Sequence, residues 1–528
     1  MNNNTETLAN KLQESFSQHL ERNAIYVDGS YYQYYEINNA ALTIANVIKK
    51  SPGLNSKYIS FFCSRIIHSY TAIAGILISG HAYLPLNPKF PPNRLHQMLE
   101  NSKCNTIILS EECAEYFFKI ENLTEKLYII CPEPGNLIMK LKKIIKNHSF
   151  VFPQDSIQKI ESIISPTVLP EDPAYLLFTS GTTGIPKGIP VSHANVCTYL
   201  NYTIKKYKVS PDDRISQMFD ITFDLSVHDI FVSFLSGACL YIIPDSSIMA
   251  PAKFIKEHKL TLWFSVPSVA MFMEKMRMLK PSSFPTLRYS LFCGEAMPKR
   301  SAEAWQIAAN NSIIENLYGP TETTIAITSY RWDTQISPEE CINGIVPIGW
   351  PFDSHFTHIL FDDENVANIV DKGELCLAGP QVTSGYINDP SQTSERFIYI
   401  GNDGKRWYRT GDIVRQGKNK CLFYLGRTDD QLQIRGYRAE LQEIDQVIRK
   451  VAGTDLAISV PKLLSPGQAE TVYAFIQGKN NEFSIEEILQ YCRQNLPEYM
   501  VPTEIIFIDK IPVNVNGKIN RKALMEKI

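Results

Sequence analysis

The sequence predicts an α/β protein whose strands are mostly parallel, followed by a compact α+β unit at the C-terminal end. Over most of the chain, short apolar runs rich in β-formers alternate with helical patterns, whereas the last part follows a different order. Such alternation is typical of parallel sheets covered by helices. The runs predicted as strands are Tyr58–Phe62, Thr106–Leu109, Leu127–Ile130, Ala174–Phe178, Cys239–Ile243, Thr261–Ser265 and Ile313–Asn316.

The C-terminal part alternates helix and strand over a shorter distance. The predicted elements are a helix over Glu440–Val451, a strand over Thr471–Ile476, a helix over Ile485–Asn495 and a strand over Glu504–Ile508. A polar stretch from Gly426 to Gln431 precedes them and is the natural border. We therefore predict a core domain over residues 1–428 and a C-terminal domain over residues 429–528.

Composition excludes several classes of protein. The 528 residues are 44% hydrophobic and 20% charged, which is typical of a globular chain, and a net charge of −3 argues against a protein dedicated to nucleic acid or anionic membranes. The 11 cysteines are scattered without a C-x-x-C pair, which favours reduced cytosolic thiols. No secretory signal is visible, and the best apolar run, Thr71–Ile78, is far too short to span a bilayer. We expect a cytoplasmic protein.

The strongest local signal is an apolar strand that runs into a loop of hydroxyls and glycines. The segment is Leu176-Leu-Phe-Thr-Ser-Gly-Thr-Thr-Gly-Ile-Pro-Lys-Gly188. Glycines let backbone amides approach an anion, and hydroxyls with one lysine can complete a cradle for phosphates. Gly188 follows Lys187 where a Walker loop needs Ser or Thr, so that match fails. A plain turn remains the alternative on composition alone.

Further motifs follow in a set order, and together they resemble the adenylate-forming enzymes, the family of acyl-CoA synthetases, firefly luciferase and the adenylation domains of nonribosomal peptide synthetases. The motifs are Gly80-His-Ala-Tyr-Leu-Pro85, Phe223-Asp-Leu-Ser-Val227, Asn316-Leu-Tyr-Gly-Pro-Thr-Glu-Thr-Thr324, Gly373-Glu-Leu375, Tyr408-Arg-Thr-Gly-Asp412, Gly426-Arg427 with Gln431 and Arg435-Gly436, and Asn516-Gly-Lys518. The resemblance covers essentially the whole chain. It implies a large N-terminal domain of several subdomains with parallel-type sheets and a small, mobile α+β C-terminal domain.

The resemblance implies attack of a carboxylate on the α-phosphorus of ATP with release of pyrophosphate, a reaction that depends on positioning and electrostatics. It assigns the β- and γ-phosphates to Thr179, Ser180, Gly181, Thr182, Thr183, Gly184 and Lys187. Glu322 would hold Mg²⁺, which prefers carboxylate and phosphate oxygens, and Thr321 would face the α-phosphate.

The remaining nucleotide contacts follow the same resemblance. Asp412 would accept from the ribose hydroxyls, and Arg427 would reach the ribose or a phosphate. Tyr318 would stack on adenine, with Asn316 and Leu317 beside it and Gly294, Glu295 and Ala296 lining the other side.

Lys518 is the residue expected to carry the first step, because a flexible cation can bridge the substrate carboxylate and the α-phosphate. Its place near the C-terminus requires a mobile domain to deliver it, with Asp429 as the hinge. After adenylation the small domain would rotate, withdraw Lys518 and bring the loop around Gly436 to a pantetheine thiol.

Each residue also has a plain structural interpretation. Asp412 could be a turn residue, Lys518 a solvated lysine, Glu322 a charge at a helix N-terminus and Tyr318 a core residue. The ordered set of motifs, rather than any one residue, favours the functional interpretation.

Asp224 narrows the substrate class. It matches the aspartate with which amino-acid-activating members hold the substrate ammonium group, and a carboxylate in an apolar pocket needs such a cation. The alternative is a helix N-cap, because a helical stretch follows. The other pocket positions implied by the motifs are Leu225, His228, Ser265, Leu291, Cys293, Leu317, Ile325 and Ala326.

Two local sequence motifs are most similar to those of D-alanine:carrier-protein ligases. They are Phe223-Asp-Leu-Ser-Val227 and Leu291-Phe-Cys-Gly-Glu295. The pocket suits a small amino acid, such as D-alanine, alanine, serine, cysteine or proline. His228 and Leu317 depart from that subfamily, and His228 could contact a polar side chain or simply line the wall. Asn87, Gln433 and Asn520 are further departures from the family pattern.

No phosphopantetheine site follows Lys518, so we expect the product to pass to a separate carrier protein. Two other hypotheses stay open at this point. One is an acid:CoA ligase, against which Asp224 argues. The other is a non-catalytic nucleotide-binding protein, against which Lys187, Glu322, Asp412 and Lys518 argue.

Overall fold

The computed structural model describes residues 6–50, 56–120, 126–133, 135–153, 168–181, 186–361, 372–402, 404–417, 419–428, 431–465, 467–478, 484–512 and 520–528. These residues form four sheets, three in the large N-terminal part and one in the small C-terminal part. The α/β class, with parallel-containing sheets in a large domain and a smaller α+β domain behind it, is confirmed.

The first sheet has seven strands, and all neighbouring pairs are parallel except the last. In spatial order the strands are Ser149–Val151, Tyr128–Ile130, Thr106–Ile108, Tyr58–Phe62, Ala82–Leu86, Pro173–Thr179 and Lys187–Ser192. The final antiparallel pair sets Thr179 opposite Lys187. The Ser/Thr/Gly loop therefore joins these two strands. Lys187, which follows the loop, lies beside Thr179, which precedes it.

The second sheet has nine strands, parallel through its centre and antiparallel at both edges. In spatial order they are Trp350–Pro351, Thr328–Arg331, Ile313–Tyr318, Tyr289–Phe292, Leu262–Ser265, Arg214–Gln217, Cys239–Ile242, Asn23–Val27 and Ser30–Gln33. Buried β-branched and aromatic residues fill the central strands, as expected where helices cover both faces.

Helices pack on these sheets and between them. The α-helices are Leu8–Gln18, Tyr34–Lys50, Ile67–Ile78, Pro92–Ser102, Asn136–Ile144, His193–Tyr207, Leu225–Ser236, Ala252–Glu257, Pro267–Lys275, Lys299–Ala308, Ser337–Glu340 and Pro390–Arg396, with 3₁₀ helices at Glu111–Lys119, Asp245–Ser247 and Thr321–Thr323. The helix Ile67–Ile78 is almost wholly buried, because its residues are apolar or small on every side. Ser192 and Asn195 form a capping box that starts the helix after the lysine-bearing strand.

The third sheet is antiparallel and closes the large domain. Its strands are Phe356–Leu360, Lys372–Ala378, Arg406–Gln416 and Phe397–Tyr399, with Leu422–Arg427 also paired to Arg406–Gln416. This pairing sets Asp412 opposite Arg427.

The small domain has a five-stranded mixed sheet with helices packed on it. The strands are Tyr437–Glu440, Gln431–Ile434, Gln468–Gln477, Ala457–Ser465 and Glu504–Ile508, and the helices are Leu441–Ala452, Ile485–Asn495 and Arg521–Met525, with a 3₁₀ turn at Glu498–Met500. The predicted helices and the strands around Thr471–Ile476 and Glu504–Ile508 are present. The sequence did not predict Ala457–Ser465 or the hairpin Gln431–Glu440.

The small domain docks against the large one through a buried ion pair and an exposed polar contact. Arg94 Nη1 donates to Glu443 Oε1 at 2.6 Å, and both side chains are nearly inaccessible. Asn93 Nδ2 donates to Asn495 Oδ1 at 3.0 Å beside that pair. Within the described part of the chain, no helix combines the length and apolar character needed to cross a bilayer.

Candidate active site

A cleft of about 150 Å³ lies between the two domains, where strands of both parallel sheets reach their carboxyl ends. This edge is where open α/β sheets bind ligands, because the loops that follow parallel strands converge there. Twelve of the predicted site residues line the cleft: Thr179, Ser180, Asp224, Leu225, Gly294, Glu295, Ala296, Leu317, Tyr318, Thr321, Asp412 and Arg427.

The predicted phosphate side is formed by the loop between the last two strands of the first sheet. The Thr179 hydroxyl is buried and has no hydrogen-bond partner among the described residues, and Ser180 Oγ donates to the Arg438 carbonyl at 3.1 Å. Lys187 is 8% exposed, and burial lowers its pKa although Glu440, 3.7 Å away, opposes that shift. Gly181 is described, whereas Thr182, Thr183 and Gly184 lie outside the described residues.

Glu322 is fully buried in the 3₁₀ turn Thr321–Thr323. The Tyr386 hydroxyl donates to its Oε1 at 2.8 Å, and Arg438 Nη1 lies 2.9 Å and 3.1 Å from its two oxygens. Burial alone would raise the pKa of Glu322, but the Arg438 charge and these hydrogen bonds outweigh it and lower the pKa. The carboxylate is therefore held ionised and is contacted by a cation in this structure.

Asp412, Tyr318 and Arg427 meet on one side of the cleft. The Tyr318 hydroxyl donates to Asp412 Oδ2 at 2.5 Å, and Arg427 Nη1 donates to Asp412 Oδ1 at 2.5 Å. Asn316, behind Tyr318, is buried and donates to the Pro347 carbonyl at 2.9 Å. The sequence placed these residues around the nucleoside, and the structure brings them together.

Asp224 is 4% exposed and stands at the start of the helix Leu225–Ser236. Its side chain makes no capping hydrogen bond, and the nearby Thr321 hydroxyl and Leu225 amide favour its charged form. Burial raises the pKa of Asp224 to about 7, and the neighbouring Glu322 adds to that rise while Thr321 opposes it. A carboxylate in this position is stabilised in its ionised form most strongly by a ligand that carries a positive charge.

The other predicted pocket residues form a buried shell behind the lining. Leu225 and Leu317 line the cleft, whereas Ser265, Leu291, Cys293, Ile325 and Ala326 are fully buried. Burial and the Asp224 charge raise the pKa of the Cys293 thiol, so the thiol stays neutral. Ser265 Oγ accepts from Trp263 Nε1 at 2.9 Å and is thereby engaged within the core.

His228 belongs to the same shell. Its Nδ1 and the Tyr199 hydroxyl lie 2.8 Å apart, within hydrogen-bond distance, and its ring packs against Phe264 with centroids 4.6 Å apart. Burial lowers the pKa of His228 to about 3, so the imidazole is neutral at physiological pH. His228 is thus a neutral, buried residue of the shell behind the residues that line the cleft.

Two further predicted residues, Lys518 and Asp429, also lie outside the described residues. The three departures from the family pattern are described. Asn87 Nδ2 donates to Asp220, Gln433 lines the cleft, and Asn520 caps the helix Arg521–Met525 by accepting from the Ala523 amide at 3.2 Å.

The sequence analysis missed five residues that contact the predicted phosphate site or fix the small domain against it: Arg94, Tyr386, Arg438, Glu440 and Glu443. The alternation of charge in Tyr437-Arg-Ala-Glu440, directly after Arg435-Gly436, was a signal that could have drawn attention to Arg438 and Glu440.

Glu322 fits a divalent cation in its chemistry. Its oxygens are buried, ionised and close to the loop predicted to hold phosphates, and they already attract a guanidinium. Mg²⁺ is commonly bound by one or two carboxylates together with substrate phosphate oxygens. Glu322 would hold the ion, which supplies charge neutralisation for the phosphate oxygens when bound.

The cleft defines the class of protein. A Ser/Gly loop with a buried lysine, a buried acid and an Asp–Tyr–Arg cluster, all beside the small domain, are the groups that the sequence resemblance predicted for an adenylate-forming enzyme. The chain belongs to the AMP-binding enzyme family: residues 12–387 match that family, and residues 443–518 match the AMP-binding enzyme C-terminal domain. Enzymes of this family use ATP and form AMP.

Two relatives show more closely which type of adenylate-forming enzyme this is. The chain is 28% identical over 524 residues to a D-alanine–D-alanyl carrier protein ligase from Lacticaseibacillus casei (strain BL23), covering 97% of each. It is 29% identical over 524 residues to tyrocidine synthase 3 from Brevibacillus parabrevis, covering 97% of this chain and 8% of that one. It is an adenylate-forming enzyme of the D-alanine carrier protein ligase and peptide-synthetase adenylation type.

A solved structure agrees over the full length. The adenylation domain AlmE of Vibrio cholerae, in complex with glycyl-adenosine-5′-phosphate, matches with a TM-score of 0.88 and 31% identity, covering 100% of this chain and 98% of that one.

Proposed function

We propose that this protein activates a small amino acid with ATP and transfers it to the phosphopantetheine thiol of a separate carrier protein. In the first step a carboxylate oxygen of the amino acid attacks the α-phosphorus, and the bond to pyrophosphate breaks. In the second step the carrier thiol, on losing its proton, attacks the acyl carbon, and AMP leaves. The favoured substrate is D-alanine or an alanine-like amino acid.

The observation that carries this proposal is the Asp224 carboxylate. It is 4% exposed, it lines the cleft beside Thr321, and it makes no capping bond that would explain its position structurally. A substrate ammonium would pair with it and compensate its desolvation. A fatty or aryl acid has no ammonium group. The alternative of an acid:CoA ligase therefore does not explain why a buried carboxylate lies in the cleft at Asp224.

The character of the pocket wall supports a small, uncharged side chain. Leu225 and Leu317 face the cleft, and the shell behind them is apolar or already hydrogen-bonded, as with Ser265 and His228. A neutral His228 gives no counter-charge for an acidic side chain. Glycine, whose adenylate is bound in AlmE, is the main competitor of D-alanine.

The docked small domain supports the transfer step. The Gly436 amide lies near enough to the Glu295 carboxyl to favour its charged form, and a Cβ on Gly436 would stand 2.9 Å from Val266 Cγ1. The loop around Gly436 thus lies against the cleft, where the resemblance expects it during thioester formation. Relatives named as carrier protein ligases of matching length support a carrier as the acceptor.

An ATP–pyrophosphate exchange panel tests this function. We expect exchange with D-alanine, L-alanine or glycine and none with fatty or aryl acids, and loss of exchange in Asp224→Ala with MgATP binding retained. Exchange supported by aryl or fatty acids, or unchanged amino-acid affinity in Asp224→Ala, would reject the proposal. Radiolabel transfer to a phosphopantetheinylated carrier, against the unmodified carrier as control, tests the second step.

A further inference from the structure

The helix Asn136–Ile144 of the large domain turns a face to solvent that is both basic and apolar. Its inner face is held in the core by Ile138 and Leu141, which are buried. The sequence has no acidic residue between Glu133 and Asp155, so nothing in this stretch offsets its lysines. We call the outer face the basic ridge; its residues are Met139, Lys140, Lys142, Lys143, Ile144 and Lys146.

Two apolar side chains of the basic ridge are open to water. Ile144 is 68% exposed and Met139 is 44% exposed. Positions four apart are neighbours on a helix surface, so Met139 lies beside Lys143 and Ile144 lies beside Lys140. Each apolar side chain therefore stands next to an ammonium group. Helices that lie in a membrane interface have this composition, because their apolar side chains reach the acyl chains while their lysines extend to the headgroups.

The stability of the helix accounts for only part of this pattern. Lys142 and Lys143 lie in its last turn, where positive charge is favourable at the negative end of the helix dipole. Lys142 also lies over the Phe152 ring, 4.5 Å from its centroid. Lys140 precedes that turn and Lys146 follows the helix, and neither forms an ion pair with a residue that the structure describes. These two lysines and the exposed apolar side chains need another explanation.

The basic ridge lies away from the cleft. The helix joins two parallel neighbours of the first sheet and runs from the carboxyl end of Tyr128–Ile130 to the amino end of Ser149–Val151. Its lysine-rich end therefore lies at the amino ends of these strands, whereas the cleft lies at the carboxyl ends. The strand that leads to the cleft, Pro173–Thr179, is five positions along the sheet from Ser149–Val151, or about 24 Å. A surface bound to the basic ridge would leave the mouth of the cleft open.

We propose that the basic ridge docks this protein on an anionic lipid surface. The lysine ammonium groups contact the headgroup phosphates, and Ile144 and Met139 enter the boundary with the acyl chains. Charge complementarity selects an anionic surface. The ridge is a convex helix with no aromatic side chain and no arginine, the residues that interfaces with proteins and nucleic acids favour, so lipid is selected over those partners. The net charge of −3 is a sum over the whole chain and does not describe this patch.

Sedimentation of the full chain with vesicles tests the charge requirement. We expect saturable binding to vesicles of phosphatidylglycerol and phosphatidylcholine, weakened by added salt, and little binding to phosphatidylcholine alone. Lys140→Glu/Lys143→Glu should lower the association constant at least about tenfold. Lys253→Glu/Lys256→Glu makes the same change of charge on the exposed side of another helix, Ala252–Glu257, and is the matched control, for which we expect a change below about twofold.

The apolar requirement separates a lipid surface from a soluble polyanion. Ile144→Ser should weaken binding to the anionic vesicles about fivefold and leave binding to polyglutamate unchanged. A polarity-sensitive fluorophore attached to Ile144→Cys should shift its emission to shorter wavelength on the anionic vesicles, whereas the same label on Lys253→Cys should not. Ten of the eleven native cysteines are buried, so the introduced thiol is the main site of labelling.

No binding to the anionic vesicles, equal binding to vesicles with and without phosphatidylglycerol, or equal losses in the ridge and control variants would overturn the inference. Vesicle binding that is unchanged by Ile144→Ser, with no emission shift at that position, would identify a polyanion site and overturn it as well. Unfolding curves that match the parent show that each variant is folded. None of these measurements needs ATP or an amino acid, so their outcome is independent of the proposed function.

Discussion

At the scale of single residues, Asp224 links burial to recognition. Without a cation beside it, its pKa is raised to about 7 by burial, so near neutral pH it is partly protonated. A bound ammonium would favour the charged form and lower that pKa. The affinity for the amino acid should therefore be highest at pH values where Asp224 is already ionised in the free enzyme. It should be weaker at lower pH, where Asp224 must first lose a proton.

The pH dependence of the amino-acid KM follows from this. We expect KM to be constant above about pH 8 and to rise by about tenfold per pH unit well below pH 7, as protonated Asp224 accumulates. Initial rates of pyrophosphate exchange at saturating ATP measure it. Burial also raises the pKa of Glu295 to about 7, so Asp224→Asn is the control: it should bind weakly with no such pH step. A flat profile in the parent enzyme would contradict the assignment.

At the scale of elements, the turn after Ile313–Tyr318 positions the predicted metal ligand. Thr324 and Ile325 have positive φ of 61° and 71°, and the chain reverses so tightly that a Cβ on Gly319 would stand 2.6 Å from the Ala326 Cα. Such a contact with backbone cannot be relieved by moving a side chain. Thr321 and Glu322 are held in the cleft by this reversal.

Gly319→Ala should therefore displace Thr321 and Glu322. We expect a destabilisation of about 1–3 kcal/mol and a loss of pyrophosphate exchange of at least about tenfold. Gly29→Ala is the matched control: Gly29 has a positive φ of 82° but open space around it, so it should lose only about 1 kcal/mol and keep activity. Urea unfolding and exchange rates measure both. Normal exchange in Gly319→Ala would show that the close approach is unimportant.

Local patterns predicted the elements well where the apolar run was long and bounded. Tyr58–Phe62, Ile485–Asn495 and Glu504–Ile508 match the structure at both ends. The strand Ala457–Ser465 and the hairpin Gln431–Glu440 were missed, because their residues mix charges with apolar positions and owe their conformation to the sheet around them. Boundaries shifted by one to a few residues elsewhere, as at Ile313–Tyr318.

The residues of the site were predicted from sequence motifs, but the long-range contacts between them were not predicted. The sequence could place Asp224, Glu322 and Asp412 in one cleft because each belongs to a recognisable string. It could not place Arg438 on Glu322, since that pair joins residues 116 positions apart across two domains. Nor could it decide the role of His228, which depends on the Tyr199 hydroxyl beside it.

At the scale of the whole molecule, two residues should separate the half-reactions. Arg94 holds the docked small domain through Glu443, whereas Lys518 is proposed to act in the other orientation. We expect Lys518→Ala to lower pyrophosphate exchange about 10²–10³-fold while retaining transfer from supplied aminoacyl-adenylate to the carrier.

Arg94→Met should behave in the opposite way. Exchange should stay within about threefold of the parent, and carrier loading should fall at least about tenfold, because the buried Glu443 loses its partner and the docked orientation is weakened. Single-turnover assays of each half-reaction measure the difference. Equal losses in both half-reactions for both variants would contradict the assignment of separate orientations.

The central claim is that Asp224 holds the ammonium of a small amino acid beside bound nucleotide. The most direct measurement compares two non-hydrolysable adenylate analogues, the D-alanyl sulfamoyladenosine and its propionyl counterpart without the amine, by calorimetry. The account predicts that the D-alanyl analogue binds at least about 100-fold tighter to the parent enzyme and that the difference largely disappears in Asp224→Asn. Equal affinities in the parent enzyme, or a preference for the amine that survives in Asp224→Asn, would contradict it.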